Sequence, residues 1–93
     1  MENKSFTDLE AWKKGRQLVN LVYALSKAFP KEEIFGLISQ IRRCVVSIPA
    51  NIAEGVGRNT SKDTIQFLYI ARGSLYELEI LLILSNDQKY IKE

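Results

Sequence analysis

The fold is decided by residues 34–58, which read IFGLISQIRRCVVSIPANIAEGVGR. Six branched apolar residues recur here at intervals of four, three, four, three and four positions: Ile34, Ile38, Ile41, Val45, Ile48 and Ile52. This spacing is typical of the seam of a helical bundle or coiled coil. The seam keeps its phase across Pro49, so we predict one helix over about residues 31–57 that continues through the proline with a kink. Gly55 and Gly57 are predicted to end this helix.

A first helix is predicted over about residues 7–29, before Pro30. It begins with a capping box of Thr7 and Glu10. An apolar stripe follows at helical spacing: Trp12, Gly15, Leu18, Val19, Val22, Leu25 and Phe29. Gly15, and Gly73 further along the chain, are expected to let neighbouring helices approach closely.

A third helix is predicted over about residues 61–85, with a cap from Thr60 or Ser61. Apolar residues surround this helix nearly completely, and such a helix must be buried nearly all round. Residues 1–93 form a single helical domain that cannot bury it alone. We therefore expect a further helix or another copy of the chain to cover it.

The bulk composition indicates one small folded domain and does not by itself indicate a nucleic-acid-binding protein. The chain has 93 residues, 46% of them hydrophobic and 26% charged. This composition predicts a folded chain and not a disordered one. The net charge is +2, too small to indicate nucleic acid on its own. Its distribution is uneven, because residues 1–46 carry eight basic and five acidic side chains and residues 47–93 carry five and six.

Several kinds of chemistry are disfavoured. The chain has no histidine, which removes the commonest general base and metal ligand, and its one cysteine, Cys44, cannot form an intrachain disulfide. Glu54, Glu77 and Glu79 could hold Mg²⁺ in principle, but the last two diverge on a helix. No signal core is present, and the longest apolar run, residues 80–84, is far too short to span a membrane. We expect a cytoplasmic protein without catalytic residues, metal, cofactor or membrane association.

Polar residues of the second helix share an arc of about 80°, roughly opposite the seam. The arc contains Arg43, Ser47, Asn51, Glu54 and Arg58. We predict a structural or interface network in which these residues pair with each other or with the third helix and satisfy backbone groups freed by Pro49. Its predicted members are Ser47, Asn51, Glu54, Arg58, Arg72, Glu77 and Glu79. The alternatives are a partner- or ligand-binding role, and last a catalytic one.

Basic residues form a second candidate surface. Phosphate contacts are predicted for six of them: Lys13, Lys14, Arg16, Arg42, Arg43 and Lys62. The plainer interpretation is a solvated helix face. In a ring of subunits modest positive patches would repeat and add, which would strengthen binding to nucleic acid.

Three stretches carry a family resemblance: FTDLEAWKKGRQLV at residues 6–19, SIPANIAEGVGR at 47–58 and FLYIARGSLYELEILL at 67–82. Together they resemble the four-helix-bundle proteins encoded in intervening sequences of bacterial large-subunit rRNA genes. A more distant resemblance is to the accessory protein of diversity-generating retroelements. Members of the family continue past the position of KYIKE, residues 89–93, into a fourth helix. The resemblance therefore implies a fourth helix that is absent or truncated in this chain.

The resemblance also implies a fold and a function. The fold is an all-α, antiparallel up-and-down bundle that assembles into a ring-like homopentamer, and no enzymatic activity is implied. The retroelement relative binds a reverse transcriptase and nucleic acid through a basic surface. We expect a non-enzymatic homo-oligomeric assembly or adaptor protein that contacts RNA or DNA through a repeated basic surface. The alternative is a scaffold that docks a nucleic-acid enzyme such as a reverse transcriptase without touching nucleic acid.

Overall fold

Three α-helices make up the protein in a computed structural model that describes residues 5–91. Helix α1 spans Glu10–Ser26, α2 spans Leu37–Val56 and α3 spans Ser61–Asp87. Short 3₁₀ turns at Phe6–Asp8 and Lys31–Glu33 precede α1 and α2. The described residues contain no β-strand, so the domain is an all-α bundle.

Consecutive helices run antiparallel, with α2 in the middle. Gly15 of α1 lies against Pro49, whereas Ser26, further along α1, accepts a hydrogen bond from the earlier residue Arg42. The α2–α3 pair shows the same reversal, because Gly55 contacts the first turns of α3 and Cys44 reaches its middle. No Cα of α1 lies within 8 Å of a Cα of α3, so α2 joins the two outer helices. The domain is elongated, about 50 Å by 22 Å by 21 Å.

The core lies along the seam of α2. Ile41 and Val45 are completely buried, and Ile38, Ile48 and Ile52 are buried beside them. On one side the core receives Val22 of α1 and Phe29 of the loop that follows it, and on the other side Ala71, Leu78 and Leu81 of α3. Every member of the stripe predicted for the first helix is buried or half-buried. The periodicity therefore identified the inward faces of α1 and α2 correctly.

The predicted start of the first helix is wrong. Residues Phe6–Asp8 form a 3₁₀ turn in which the Ser5 hydroxyl accepts a hydrogen bond from the Thr7 amide at 3.3 Å. Helix α1 consequently begins at Glu10, and Leu9 occupies the N-cap position without a side-chain bond. The predicted capping box of Thr7 and Glu10 does not form. The helix also ends earlier than predicted, at Ser26.

The second helix begins six residues later than predicted, at Leu37 rather than residue 31. Gly36 has a backbone conformation of φ −111° and ψ −117°, which is not helical and separates the 3₁₀ turn from α2. Ile34 precedes this break and is 52% exposed, so it does not belong to the buried seam. The helix does continue through Pro49 to Val56.

Helix α3 begins as the sequence indicates. The Thr60 hydroxyl accepts a hydrogen bond from the Asp63 amide at 3.2 Å, which is an N-cap. The helix ends at Asp87, two residues beyond the expected end. None of the helices among residues 5–91 is long and apolar enough to cross a membrane.

Candidate interaction surfaces

The polar arc of α2 meets α3 through small hydroxyl groups. The Ser47 hydroxyl donates to the Cys44 carbonyl oxygen at 2.7 Å, and its oxygen lies 2.6 Å from the Ser74 hydroxyl. The Cys44 thiol donates to the Ser74 carbonyl oxygen at 3.0 Å. These bonds join the middle of α2 to the middle of α3. Ser74 was not predicted as a member, although its position in the third helix places it on the inward side.

Asn51 does not compensate for the missing amide of Pro49. A proline at this position leaves the carbonyl of Val45 without its helical donor. The Asn51 side chain instead donates to the Ser47 carbonyl oxygen at 2.7 Å, one turn before it. Among the hydrogen bonds of residues 5–91, no side chain donates to the Val45 carbonyl.

Glu54 and Arg58 form an ion pair at the end of α2. The carboxylate and guanidinium are 3.0 Å apart, and both side chains are largely exposed. The Arg58 guanidinium also stacks over the Phe67 ring, 4.4 Å from its centroid, so it connects α2 with the first part of α3. An exposed ion pair of this kind contributes about 0.2–1 kcal/mol.

Arg72 and Glu79 lie away from the polar arc. Arg72 stacks on Tyr76 of its own helix, 5.6 Å from the ring centroid. Glu79 lies at the edge of an apolar groove beside Leu18 of α1. The predicted network thus divides: the residues of α2 and Glu77 lie on one side of α3, and Arg72 and Glu79 lie on another.

Glu77 lies beside Cys44, where the two helices leave a shallow depression that Gln40, Arg43 and Ser47 also line. Burial, and secondarily the charge of Glu77, raises the pKa of the Cys44 thiol from 9.0 to about 11. The thiol is therefore protonated near neutral pH and is a poor nucleophile. Within the part of the chain that the structure describes, no three acidic or cysteine side chains are close enough to hold a metal ion.

The six basic residues do not form one patch. Lys13, Lys14 and Arg16 lie in the first turns of α1 but are spread over an arc of about 160°. Lys13 lies 3.7 Å from Glu10, and Arg16 stacks on Trp12 with 5.7 Å to the ring centroid.

The remaining three basic residues occupy other parts of the surface. Lys62 is exposed in the first turn of α3, at the same end of the bundle as Lys13 and Lys14. Arg42 is half-buried towards the other end, where its Nε donates to the Ser26 hydroxyl at 2.8 Å and its guanidinium covers the Tyr23 ring. Its neighbour Arg43 is exposed and reaches the Ser39 hydroxyl at 3.4 Å. Arg42 thus bridges α1 and α2. The sequence Arg42-Arg43 alone did not indicate this role.

The outward side of α3 carries an apolar stripe. Its members are between 48% and 62% exposed: Ile65, Tyr69, Tyr76, Ile80 and Ile83. At 100° per residue these positions fall within about 60° and lie opposite the buried face of Ala71, Leu78 and Ser85. We call them the outer stripe. Nothing within residues 5–91 covers it.

An apolar groove runs between α1 and α3. It has a volume of about 570 Å³ and is lined mainly by Leu18 of α1 and by Leu75, Leu78 and Leu82 of α3. The groove exists because α1 and α3 both pack on α2 and stay apart from each other.

The segment after α3 docks on the loop between α1 and α2. Lys89 has φ 65°, a left-handed turn in which the Tyr90 amide donates to the Ser85 carbonyl oxygen at 3.1 Å. The Tyr90 hydroxyl then donates to Glu33 at 2.9 Å, and its ring packs on Phe29 with centroids 5.5 Å apart. The carboxylate raises the pKa of Tyr90, because it favours the protonated hydroxyl. Sequence reasoning missed this contact, since it joins residues 57 positions apart.

The fold and these surfaces define a small all-α helical bundle. The family model described as 23S rRNA-intervening sequence protein matches residues 7–93, which includes all three helices. The chain therefore belongs to this family, and the resemblance that the three sequence stretches indicate is confirmed. No curated protein matches the chain.

Proposed function

We propose that the protein is a non-enzymatic, homo-oligomeric assembly or adaptor protein that contacts RNA or DNA through a basic surface repeated around the assembly. The observation that carries the proposal is the outer stripe, because contiguous exposed apolar surface marks an interaction site. Membership of the 23S rRNA-intervening sequence family supports a relation to RNA. The ring-like homopentamer is the arrangement that the resemblance implies.

The groove between α1 and α3 supports a bundle of the four-helix type. In an up-and-down bundle of four helices, the fourth helix lies between the first and third. Leu18, Leu75 and Leu82 line that space here. We infer a bundle of the four-helix type, with a kink at Pro49 and a cytoplasmic location.

The basic surface lies at the end of the bundle that carries Lys13, Lys14 and Lys62. All three are exposed. One copy offers too few cations for tight binding, but several copies in one assembly would bind jointly, since linked weak contacts raise the effective affinity. The more distant retroelement resemblance points in the same direction.

The alternative is a protein scaffold that docks a nucleic-acid enzyme such as a reverse transcriptase without contacting nucleic acid. A specific observation favours it: Arg42 is bonded to Ser26 and stacked on Tyr23, and Arg16 is stacked on Trp12. These contacts make fewer cations available for phosphate.

Binding across a salt series separates the two functions. The purified protein is titrated with structured RNA and duplex DNA at a concentration where light scattering shows the assembled form. For direct binding, log K falls linearly with log salt, by about 0.9 per phosphate contact on duplex DNA. The double variant Lys13→Glu, Lys14→Glu should lower both affinity and slope. The control Lys27→Glu, Lys31→Glu makes the same change in charge at the other end of the bundle and should alter binding less. No binding at low salt would leave the scaffold.

A further inference from the structure

The outward face of α1 carries positive charge without compensating negative charge. Residues 11–31 contain five basic side chains and no acidic one. A helix face that only keeps a protein soluble usually mixes both signs, and opposite charges at neighbouring positions also stabilise the helix. The exposed face of α1 departs from this pattern. Its charge therefore favours an anionic partner.

Four polar side chains of this face lie close together. At 100° per residue they fall within about 100° of each other, roughly opposite the buried side of α1. All four are exposed: Lys13, Arg16, Gln17 and Asn20. With Thr7 and the half-buried Trp12 they line a depression of about 450 Å³. This volume is within the range of small-molecule sites, about 300–1,000 Å³. We call it the α1 depression.

Arg16 offers a flat cationic surface in the α1 depression. Its guanidinium lies over the Trp12 ring, 5.7 Å from the centroid. The Trp12 ring in turn packs edge-on against the Phe6 ring, with centroids 5.2 Å apart. Because the Arg16 side chain is exposed, its guanidinium can stack on Trp12 with one face and on a nucleic-acid base with the other.

Two amides offer the hydrogen-bonding groups that the edge of a base requires. Gln17 and Asn20 are about one turn apart on α1, and each side-chain amide has donors as well as an acceptor. Among the side-chain hydrogen bonds within residues 5–91, none involves either amide. An amide can bond two adjacent groups of a base, such as N6 and N7 of adenine. Both amides are thus available to a base in the α1 depression.

Lys13 supplies a cation for a phosphate next to such a base. Its ammonium group is 3.7 Å from the Glu10 carboxylate, and the two side chains are 50% and 79% exposed. An ion pair this exposed is weak, so it does not prevent the ammonium group from binding a phosphate. Lys13 also belongs to the basic surface proposed above. The α1 depression therefore extends the basic surface along α1.

We propose that the α1 depression binds one unpaired nucleotide of a single-stranded nucleic acid. The base stacks on the guanidinium of Arg16. Gln17 and Asn20 bond to the edge of the base, and Lys13 binds the adjacent phosphate.

The groups that line the α1 depression favour an unpaired nucleotide over other anions. A base in a duplex is already paired and stacked, and side chains cannot read the narrow major groove of A-form RNA. An acidic peptide would bind the cations but would leave the guanidinium plane of Arg16 unused. An unpaired nucleotide uses the plane, the amides and the ammonium group together.

This inference rests on the proposed contact with nucleic acid and adds a base-binding role to it. Contact through phosphates alone would satisfy the proposed function without a base in the α1 depression. The base site can therefore fail while the proposed function stands.

Ligands of equal charge test for the base. The full chain, at a concentration where it is assembled, is titrated with an oligoadenylate, with an abasic ribose-phosphate chain of the same length and with a duplex RNA of that length. The oligoadenylate should bind about tenfold more tightly than the abasic chain, because a stacked base adds binding energy. Trp12 is the only tryptophan of the chain and lines the depression, so its fluorescence reports whether the depression is occupied. Oligoadenylate should change this fluorescence more than the abasic chain does.

Variants of unchanged charge locate the base. Gln17→Ala with Asn20→Ala should weaken the binding of oligoadenylate about tenfold, through the loss of hydrogen bonds, and should leave the binding of the abasic chain unchanged. The matched control, Gln40→Ala with Gln88→Ala, removes two exposed amides from α2 and from the end of α3 and should leave both affinities unchanged. Arg16→Lys keeps the charge but has no flat surface, so it should weaken the binding of oligoadenylate alone. Circular dichroism checks the fold of each variant.

Each outcome decides between the base site and a contact through phosphates. A preference for oligoadenylate that the Gln17, Asn20 double variant abolishes would support the inference. A preference that this variant retains would place the base elsewhere and overturn the inference. Equal affinity for oligoadenylate and the abasic chain, or tighter binding of the duplex, would also overturn it and leave the proposed function intact. No binding of any of the three ligands at low salt would overturn both.

Discussion

Two glycine-to-alanine changes are expected to have opposite effects on the stability of the single chain. Gly15 and Gly73 both lie in the interior of a helix. Replacing an interior helical glycine by alanine gains about 1 kcal/mol from helix propensity. A methyl group on Gly15 would lie 3.2 Å from Cβ and 3.4 Å from Cδ of Pro49, whereas one on Gly73 would meet no atom within 4 Å.

The contact with Pro49 determines the sign at position 15. The proline ring is rigid and belongs to the interior of α2, so α1 must move away from it. Overpacking of this kind costs about 1–3 kcal/mol, which exceeds the gain and leaves Gly15→Ala destabilised by about 1 kcal/mol. Gly73→Ala should be stabilised by about 1 kcal/mol. The expectation that Gly73 allows close helix approach is wrong within one chain, since the position faces open space.

Thermal and urea unfolding measure the difference. Each 1 kcal/mol corresponds to about 4–8 °C in a domain of this size, so the two variants should differ in Tm by about 10 °C. The measurement is made at a dilution where the protein is monomeric, because association adds to apparent stability. An increase in Tm for Gly15→Ala that equals the increase for Gly73→Ala would refute the close packing of α1 on α2.

Three further changes test individual contacts. Arg42→Lys should destabilise the fold by about 1–2 kcal/mol in urea unfolding, because it loses the hydrogen bond to the buried Ser26 hydroxyl and the stacking on Tyr23. Arg43→Lys should cost less than about 0.5 kcal/mol. Equal losses of stability in the two variants would contradict the role of Arg42 as a bridge between α1 and α2. Cys44 should react slowly with a thiol reagent at pH 8. The free energy of unfolding should fall as the pH rises above 9, since the unfolded thiol ionises near 9 and the folded thiol has a pKa of about 11. A free energy of unfolding that does not decrease between pH 9 and 11 would count against a buried thiol. Thr60→Ala should cost about 1 kcal/mol through loss of the cap, and Ser61→Ala should cost clearly less; a reversed order would place the cap at Ser61.

Periodicity predicted the inward faces well because burial repeats regularly along a helix. The stripe of α1 and the seam of α2 required only the spacing of apolar residues. The same reasoning included Ile34, which lies outside the helix. Spacing alone cannot detect the non-helical conformation of Gly36, two residues after Ile34, which separates Ile34 from α2.

The start of α1 was missed because two local caps compete. Thr7 followed by Glu10 is a capping-box pattern, but Ser5 binds the Thr7 amide first and holds residues 6–8 in a 3₁₀ turn. The difference in free energy between two such caps is small, and sequence rules do not predict which of them forms.

The polar sites depend on tertiary geometry that one sequence does not contain. The arc on α2 could be placed from the helical repeat, yet its partners on α3 could not, because the rotation of α3 about its own axis was unknown. That rotation brings Ser74 and Glu77 to the arc and carries Arg72 and Glu79 to the far side. Arg42 was predicted to lie on an exposed basic surface, as a phosphate contact, for the same reason, since Tyr23 and Ser26 reach it only in the folded bundle.

The central position of α2 has a consequence for how the domain opens. Backbone contacts between helices join only sequence neighbours, α1 with α2 and α2 with α3. Such local topology favours fast folding, and it allows either outer helix to detach while the remaining hairpin persists. Docking of a second copy on α3 would slow amide hydrogen exchange in α3 and, through it, in α2. Helix α1 would gain little of this protection, so its amides would exchange first even in the assembled protein.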